Sequence, residues 1–172
     1  GDTTLANPDL TYVVGGSLPR GGIYFKRVGN NPLLVTSNLD IGLARKYGRI
    51  KRIETFTKWR AEALTKKYGR ANAYPRLVAT VLKEEGVGGK AAIFGRNDLA
   101  YGIYAVDQLR KLGIKVSGEK SPTILEAARE TKSPKEIQEL RRIGAKTGRV
   151  VQAIMEALRN MKRERGHLQL DG

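Results

Sequence analysis

Short apolar segments separated by turn-forming residues mark the first third of the chain. Ile23 to Arg27 and Leu33 to Thr36 have the β-branched and aromatic content of strands, and residues 29–32, Gly-Asn-Asn-Pro, separate them. This pattern predicts an antiparallel pair of strands. Before the pair, Asn7-Pro8-Asp9 is typical of a turn. Because Tyr12 to Val14 follow directly, we expect the chain to begin almost at a strand.

A short helix and a third strand are predicted next. Asn38 is placed to cap a helix from Leu39 to Tyr47, and Gly48 is a typical C-terminal stop. Residues from Ile50 to Phe56 then return to strand composition.

From Thr57 onward the apolar positions change to helical spacing. One predicted helix carries Trp59, Ala63 and Leu64 on one face and ends near Tyr68-Gly69, and a second runs from Pro75 to Glu85. We then expect a strand at Ala91–Phe94, a helix that starts at Asn97 and a strand at Ile114–Val116. This alternation predicts a layered α/β domain with a partly parallel sheet.

Two capped helices are predicted at the C-terminal end. Ser121-Pro122 opens the first, and Ser133-Pro134-Lys135-Glu136 opens the second with a capping box. Since no proline follows before Arg165, the second helix is expected to run about 32 residues, roughly 48 Å. That length exceeds a compact domain of this size. We therefore expect its second half to offer apolar residues to another domain or another copy of the chain: Val151, Ile154, Leu158 and Met161.

These boundaries predict an α/β domain over residues 1–132, a linker helix over 133–165 and a tail over 166–172. Composition suits one globular domain, with 172 residues, no Cys and 40% hydrophobic residues. No apolar run reaches the ~20 residues of a membrane span, and no basic leader precedes an apolar segment. A cytoplasmic protein without disulfides, zinc ribbons or membrane contact is expected.

Side chains for catalysis are sparse. The single histidine, His167, lies in a charged tail and is expected to be solvated. A two-metal carboxylate cluster would need several acids within a few ångströms of one another. The candidates, Asp40, Glu54, Asp98 and Asp107, are interpreted instead as helix-end or charge-pair residues. The glycines of residues 86–89 precede a strand rather than a helix, so they do not form a phosphate loop. We expect no catalytic site, metal or other cofactor in this chain.

A net charge of +15 is the unusual number in this composition. Eleven Lys or Arg residues lie between Arg45 and Arg76 against Glu54 and Glu62, with Trp59 and three tyrosines interleaved. Grooves of proteins that bind nucleic acid combine cations and aromatic rings in this way. In the competing interpretation the charged helix faces are solvated, the apolar stems of the cations lie over the core, and the aromatic rings are buried. The candidate basic patch consists of Arg45, Lys46, Arg49, Lys51, Arg52, Lys58, Arg60, Lys66 and Lys67.

Two segments resemble a known family. Asn7 to Gly16, NPDLTYVVGG, resembles a stretch near the start of creatinase, prolidase and aminopeptidase P proteins in which Asn-Pro is followed by Tyr-x-x-Gly. Thr131 to Leu158 contains Lys-Ser-Pro-Lys-Glu-Ile and resembles the linker helix that precedes their catalytic domain. The resemblance covers nearly the whole chain.

The resemblance implies a three-layer α/β/α domain with a mixed, ribonuclease H-like sheet and a long C-terminal linker helix. In that family this domain supports dimerisation and restricts substrate access. A separate pita-bread domain binds two divalent metals, Mn, Co or Zn, and cleaves Xaa-Pro bonds. We therefore expect a non-catalytic N-terminal domain of a proline-specific metallopeptidase, with the catalytic domain outside this chain and a homodimer as the assembly. The alternative is a stand-alone basic domain that binds nucleic acid or an acidic protein.

Overall fold

A computed structural model of the chain describes residues 6–95, 98–164 and 167–169. The chain divides into two compact units, residues 1–126 and 127–172. The elements of the first unit are α1 (Pro8–Val14), β1 (Gly22–Phe25), β2 (Leu33–Thr36), α2 (Ile41–Tyr47), β3 (Arg52–Thr55), a 3₁₀ turn (Phe56–Trp59), α3 (Ala61–Tyr68), α4 (Arg70–Glu84), β4 (Lys90–Ile93), α5 (Leu99–Lys111) and β5 (Lys115–Gly118). Helix α6 (Ile124–Glu130) crosses the boundary, and α7 (Pro134–Asn160), β6 (Lys162–Glu164) and β7 (His167–Gln169) complete the chain.

A mixed three-stranded sheet has β2 at its centre. Strand β1 pairs antiparallel with β2, with Ile23 opposite Val35, and β3 pairs parallel with β2 on the other side. All four residues of β2 are buried. The predicted antiparallel pair and the α/β class with a mixed sheet are thus confirmed.

Alternate residues of β2 enter two different cores, because successive side chains of a strand point to opposite faces. Leu33 and Val35 pack in the larger cluster, which helix α4 dominates. Its other buried members are Phe25, Trp59, Leu77, Val78, Ala79, Val81, Leu109, Ile114 and Val116. Leu34 packs on the opposite face with residues of α1, α2 and the adjoining loops: Leu10, Val14, Leu18, Ala44 and Ile50. Helices therefore cover both faces of β2.

Strands β4 and β5 form a parallel pair that the larger core joins to the first sheet. In the residues that the structure describes, no backbone ladder links this pair to β1–β3. The connection is made by side chains, since Ile114 and Val116 share a cluster with Leu33 and Val35. The predicted parallel pairing is present between β2 and β3 in the three-stranded sheet and between β4 and β5 in the two-stranded one.

The N-terminal prediction was wrong, because Asn7-Pro8-Asp9 begins a helix rather than a turn before a strand. The Asn7 side chain accepts hydrogen bonds from the backbone N–H groups of Asp9 and Leu10, both at 3.0 Å, and Pro8 occupies the first turn. Proline costs nothing there, since a first-turn N–H has no partner within the helix. Gly15 ends α1 in the left-handed conformation, with φ 72°. Asn-Pro followed by glycine seven residues later was a helix signature.

Three helix starts also differ from the predictions. Helix α2 begins at Ile41 rather than Leu39, because Ser37 and Asn38 lie in a turn whose Ser37 hydroxyl accepts from the Asp40 N–H. Helix α4 begins at Arg70, five residues before the predicted Pro75, which is accommodated inside the helix. Trp59 belongs to the 3₁₀ turn and not to α3. The predicted start at Asn97 lies outside the described residues.

The second unit contains the long helix, and Ser133 caps it as predicted. Ser133 and Glu136 form the reciprocal capping box, with the Ser133 N–H donating to Glu136 at 2.9 Å. The helix has 27 residues, about 40 Å, and ends at Asn160 rather than Arg165. Met161 turns to extended backbone, and β6 pairs antiparallel with β7. The predicted tail, residues 166–172, includes His167, whose backbone lies in β7.

An ion pair ties the start of β3 to the end of α4. Two nitrogens of the Arg52 guanidinium donate to the two carboxylate oxygens of Glu85, at 2.8 and 3.0 Å. Arg52 also donates to the carbonyl of Asn31, and Arg27 donates to the carbonyl of Glu85. These bonds hold the β1–β2 turn, the edge strand and the α4 terminus together. Hydrogen bonding to Arg52 lowers the pKa of Glu85 below its ordinary value, outweighing partial burial of the carboxyl.

The double-sided core predicts a large effect for Leu34→Ala. Leu34 is fully buried, so the substitution should lower the free energy of unfolding by about 2–5 kcal/mol. The matched control is Leu39→Ala, because Leu39 is 69% exposed, and its effect should stay within about 0.5 kcal/mol. Urea titrations followed by circular dichroism measure both. Equal effects of the two variants would contradict the assignment of β2 as the central buried strand.

The Arg52–Glu85 pair predicts a pH-dependent contribution to stability. Because the pKa of Glu85 is lower in the folded state, its contribution is complete above the unfolded-state pKa and is lost as pH falls through the folded-state pKa. Wild type should exceed Glu85→Gln by roughly 0.5–1 kcal/mol at neutral pH, and the difference should vanish at strongly acidic pH. Glu62→Gln, which removes an exposed carboxylate, should show no such trend. A pH-independent difference for Glu85→Gln would exclude this ionic contribution.

Candidate functional site

The described part of the chain presents surfaces rather than a catalytic cluster. Within residues 6–95, 98–164 and 167–169, no group of three or more His, Cys, Asp or Glu side chains is placed to hold a metal ion. The family resemblance assigns its two metals to a separate catalytic domain, and no metal-dependent step is assigned to the residues that the structure describes. The same residues include no helix that is long and apolar enough to cross a membrane.

The C-terminal helix exposes an apolar stripe along its length. Three predicted interface residues, Val151, Ile154 and Leu158, are 50, 54 and 48% exposed. The stripe continues towards the helix start through Ile137, Leu140 and Ile143. Such residues at three- and four-residue spacing lie on one face of a helix. The fourth predicted residue, Met161, follows the helix in extended backbone and is half-buried.

The structure separates the candidate basic patch into paired and unpaired cations. Arg52 is held by Glu85, and Lys58 donates to Glu54 at 3.0 Å. Hydrogen bonding to Glu85 raises the pKa of Arg52, so this guanidinium stays charged. Both cations already have carboxylate partners and are poor candidates for a new anion. The other seven are exposed, and in the described residues none has a carboxylate within 4.0 Å: Arg45, Lys46, Arg49, Lys51, Arg60, Lys66 and Lys67.

Those seven cations belong to different elements. Arg45 and Lys46 lie in the last turn of α2, where the helix dipole favours positive charge. The Arg49 side chain covers Gly15, where an added Cβ would approach its Cγ to 2.5 Å. Arg60 has a left-handed backbone between the 3₁₀ turn and α3. Lys66 and Lys67 form the last turn of α3, close to the start of α4.

Most of the aromatic rings between these cations are occupied by contacts within the protein. Trp59 is buried, and its Nε1 donates to Glu84 at 2.7 Å, so its ring is unavailable to an incoming base. Tyr68 is half-buried, with the Arg76 guanidinium 4.0 Å and the Lys67 ammonium 5.2 Å from its ring centre. Tyr47 alone among the aromatics of the patch is widely exposed, at 58%.

A tyrosine cluster beside the patch was not predicted from the sequence. Tyr101 of α5 packs against Tyr74 of α4, with ring centres 6.3 Å apart. The Tyr104 hydroxyl donates to Asn72 at 2.6 Å, and Asn72 in turn donates to the carbonyl of Tyr68. Burial raises the pKa of Tyr101, and the positive charge of Arg70 opposes that shift. The Tyr101–Tyr104 spacing was a visible signal, but the packing of α5 against α4 is a tertiary contact.

Comparison with known proteins supports the fold. No family model and no curated protein matches this chain. Among solved structures, the prolidase from Pyrococcus horikoshii OT3 is similar, with a TM-score of 0.60 and 20% sequence identity. The similarity covers 92% of this chain and 39% of that prolidase, so this chain spans well under half of the other protein. At this identity the likeness shows that the chain shares the fold of part of a prolidase.

Proposed function

We propose that this chain is the non-catalytic N-terminal domain of a proline-specific metallopeptidase-like protein, an Xaa-Pro dipeptidase or aminopeptidase. The observation that carries the proposal is the prolidase likeness, which includes nearly all of this chain but only 39% of the other. Because the likeness includes only part of that prolidase, the catalytic groups of the proposed protein lie in another part of it. The ribonuclease H-like, three-layer arrangement of the creatinase type is the finer fold within this proposal.

The linker role of α7 is supported by its residues. The capping box at Ser133 and Glu136 fixes the helix start, and the helix then exposes apolar side chains along some seven turns. An exposed apolar stripe of this length is unfavourable in water, which favours a covering partner. In the proposed protein the partners are the catalytic domain, with two Mn, Co or Zn ions, and a second subunit. Dimerisation and restricted substrate access are the proposed roles in a cytoplasmic enzyme.

Peptidase activity of the encoded protein tests this proposal. The complete product of the gene, supplied with Mn²⁺, Co²⁺ or Zn²⁺, should hydrolyse the dipeptide Ala-Pro or the tripeptide Ala-Pro-Ala and leave Ala-Ala and Ala-Ala-Ala intact, because the proposed site selects the bond before proline. Chelation with EDTA should abolish the activity, and metal should restore it. Chromatography of the released alanine, proline and Pro-Ala follows hydrolysis and distinguishes a dipeptidase from an aminopeptidase. Failure on both proline peptides with all three metals, or equal cleavage of the proline peptides and their all-alanine counterparts, would contradict the proposal.

The α7 stripe predicts a selective effect of Leu158→Asp. The charge lies on the apolar face and should weaken self-association or docking in the complete gene product, while a side chain that is 48% exposed leaves the melting temperature nearly unchanged. Ala153→Asp is the matched control, since it places the same residue on the opposite face of the same helix. Analytical ultracentrifugation measures assembly, and circular dichroism measures melting. A large drop in melting temperature for Leu158→Asp alone would place Leu158 in the core.

A further inference from the structure

A cationic surface surrounds the turn between α3 and α4. It consists of Lys66 and Lys67 at the end of α3 and Arg70 and Arg76 in α4, and we call it the α3–α4 surface. Gly69 alone separates the two helices, and its φ of 76° lies in the left-handed region. Lys67 near the end of α3 and Arg70 at the start of α4 are therefore only three positions apart. From residue 60 to residue 76 the sequence has five cations and one acid, Glu62. This segment therefore carries more net positive charge per residue than the chain as a whole.

The cations of this surface are not used for folding by ion pairing. In the described residues, none of the four has a carboxylate within 4.0 Å, in contrast to Arg52 and Lys58. Lys66, Lys67 and Arg70 are exposed, and Arg76 lies over the Tyr68 ring. Like charges at neighbouring positions repel one another, so an anionic partner that neutralises them gains free energy.

Planar groups adjoin the charges. The Arg76 guanidinium lies over the Tyr68 ring, and the Tyr74 ring packs against Tyr101. The positive charge of Arg70 acts to lower the pKa of Tyr101. Asn72 connects the two sides, because it donates to the Tyr68 carbonyl and accepts from the Tyr104 hydroxyl. These contacts join α3, α4 and α5 around the charged turn.

We propose that the α3–α4 surface binds the phosphate backbone of a nucleic acid. Phosphates carry the regularly repeated negative charge that clustered Lys and Arg side chains neutralise, with release of bound counterions. Nucleic acid also supplies planar bases, which stack on guanidinium planes such as that of Arg76, held over the Tyr68 ring. The net charge of +15 steers any such polyanion towards the protein. This activity is independent of the proposed peptidase function.

Charge-matched variants test the site. One variant combines Lys66→Gln, Lys67→Gln and Arg70→Gln, and the control combines Lys83→Gln, Lys111→Gln and Lys120→Gln, three exposed cations elsewhere. Both lose three charges, so a nonspecific effect of net charge acts equally on them. Fluorescence anisotropy with a labelled oligodeoxynucleotide of about 20 nucleotides, single-stranded or as a duplex, measures affinity from low to physiological salt.

The α3–α4 variant should raise Kd roughly tenfold or more and flatten the log–log salt dependence by about 2 for the single strand or 2.7 for the duplex. The probe with the lower Kd at physiological salt identifies which form is bound. The control should keep the wild-type salt slope. Equal loss in both variants, or displacement of the oligonucleotide by poly-glutamate as effectively as by unlabelled oligonucleotide, would overturn the proposal.

A footprint on the wild-type protein gives an independent readout that requires no variant to fold. Acetylation of lysines, read by mass spectrometry, should slow at least threefold at Lys66 and Lys67 when oligonucleotide is bound. Lys111 and Lys120 should react at unchanged rates. Uniform protection of all four lysines would show general polyanion condensation and would contradict a site at the α3–α4 surface.

Discussion

The burial of β2 on both faces is the constraint on which the first unit depends. A four-residue strand buries every side chain only when one layer of residues packs beneath it and another above it. Leu34 requires α1 and α2 on one face, and Val35 requires α4 on the other. The larger core then extends through α4 to Ile114 and Val116, so that side-chain packing joins the three-stranded sheet to the β4–β5 pair, between which the described residues form no backbone ladder.

Patterns that depend on local chemistry were predicted well from the sequence. The apolar run Leu33–Thr36 and the capping box at Ser133 each describe contacts within a few residues, and both are present. The turn expected over residues 29–32 lies slightly earlier, because the Asn30 N–H donates to the Arg27 carbonyl. Errors arose where one sequence pattern is compatible with two different local structures. Asn-Pro-Asp suits a turn or a helix start, and Gly15 decides for the helix only when the whole segment is considered.

The two candidate surfaces likewise differ in how far the sequence alone predicts them. The apolar stripe of α7 was visible as a three- and four-residue repeat, because helix periodicity alone places Val151, Ile154 and Leu158 together. The basic stretch was visible only as composition. Which cations are occupied depends on tertiary contacts, such as Arg52 reaching Glu85 from another element. The tyrosines of α5 likewise meet α4 through packing that no local pattern predicts.

In the proposed protein, this chain is one part that supplies assembly surfaces, and the metal chemistry lies in another part. The most direct test is the coding sequence that follows Gly172 in the source gene. The account predicts that two Asp, one His and two Glu codons follow within the length of a catalytic domain, in the order of a proline-specific metallopeptidase. A stop codon directly after this segment, or a following domain without those five ligands, would contradict it.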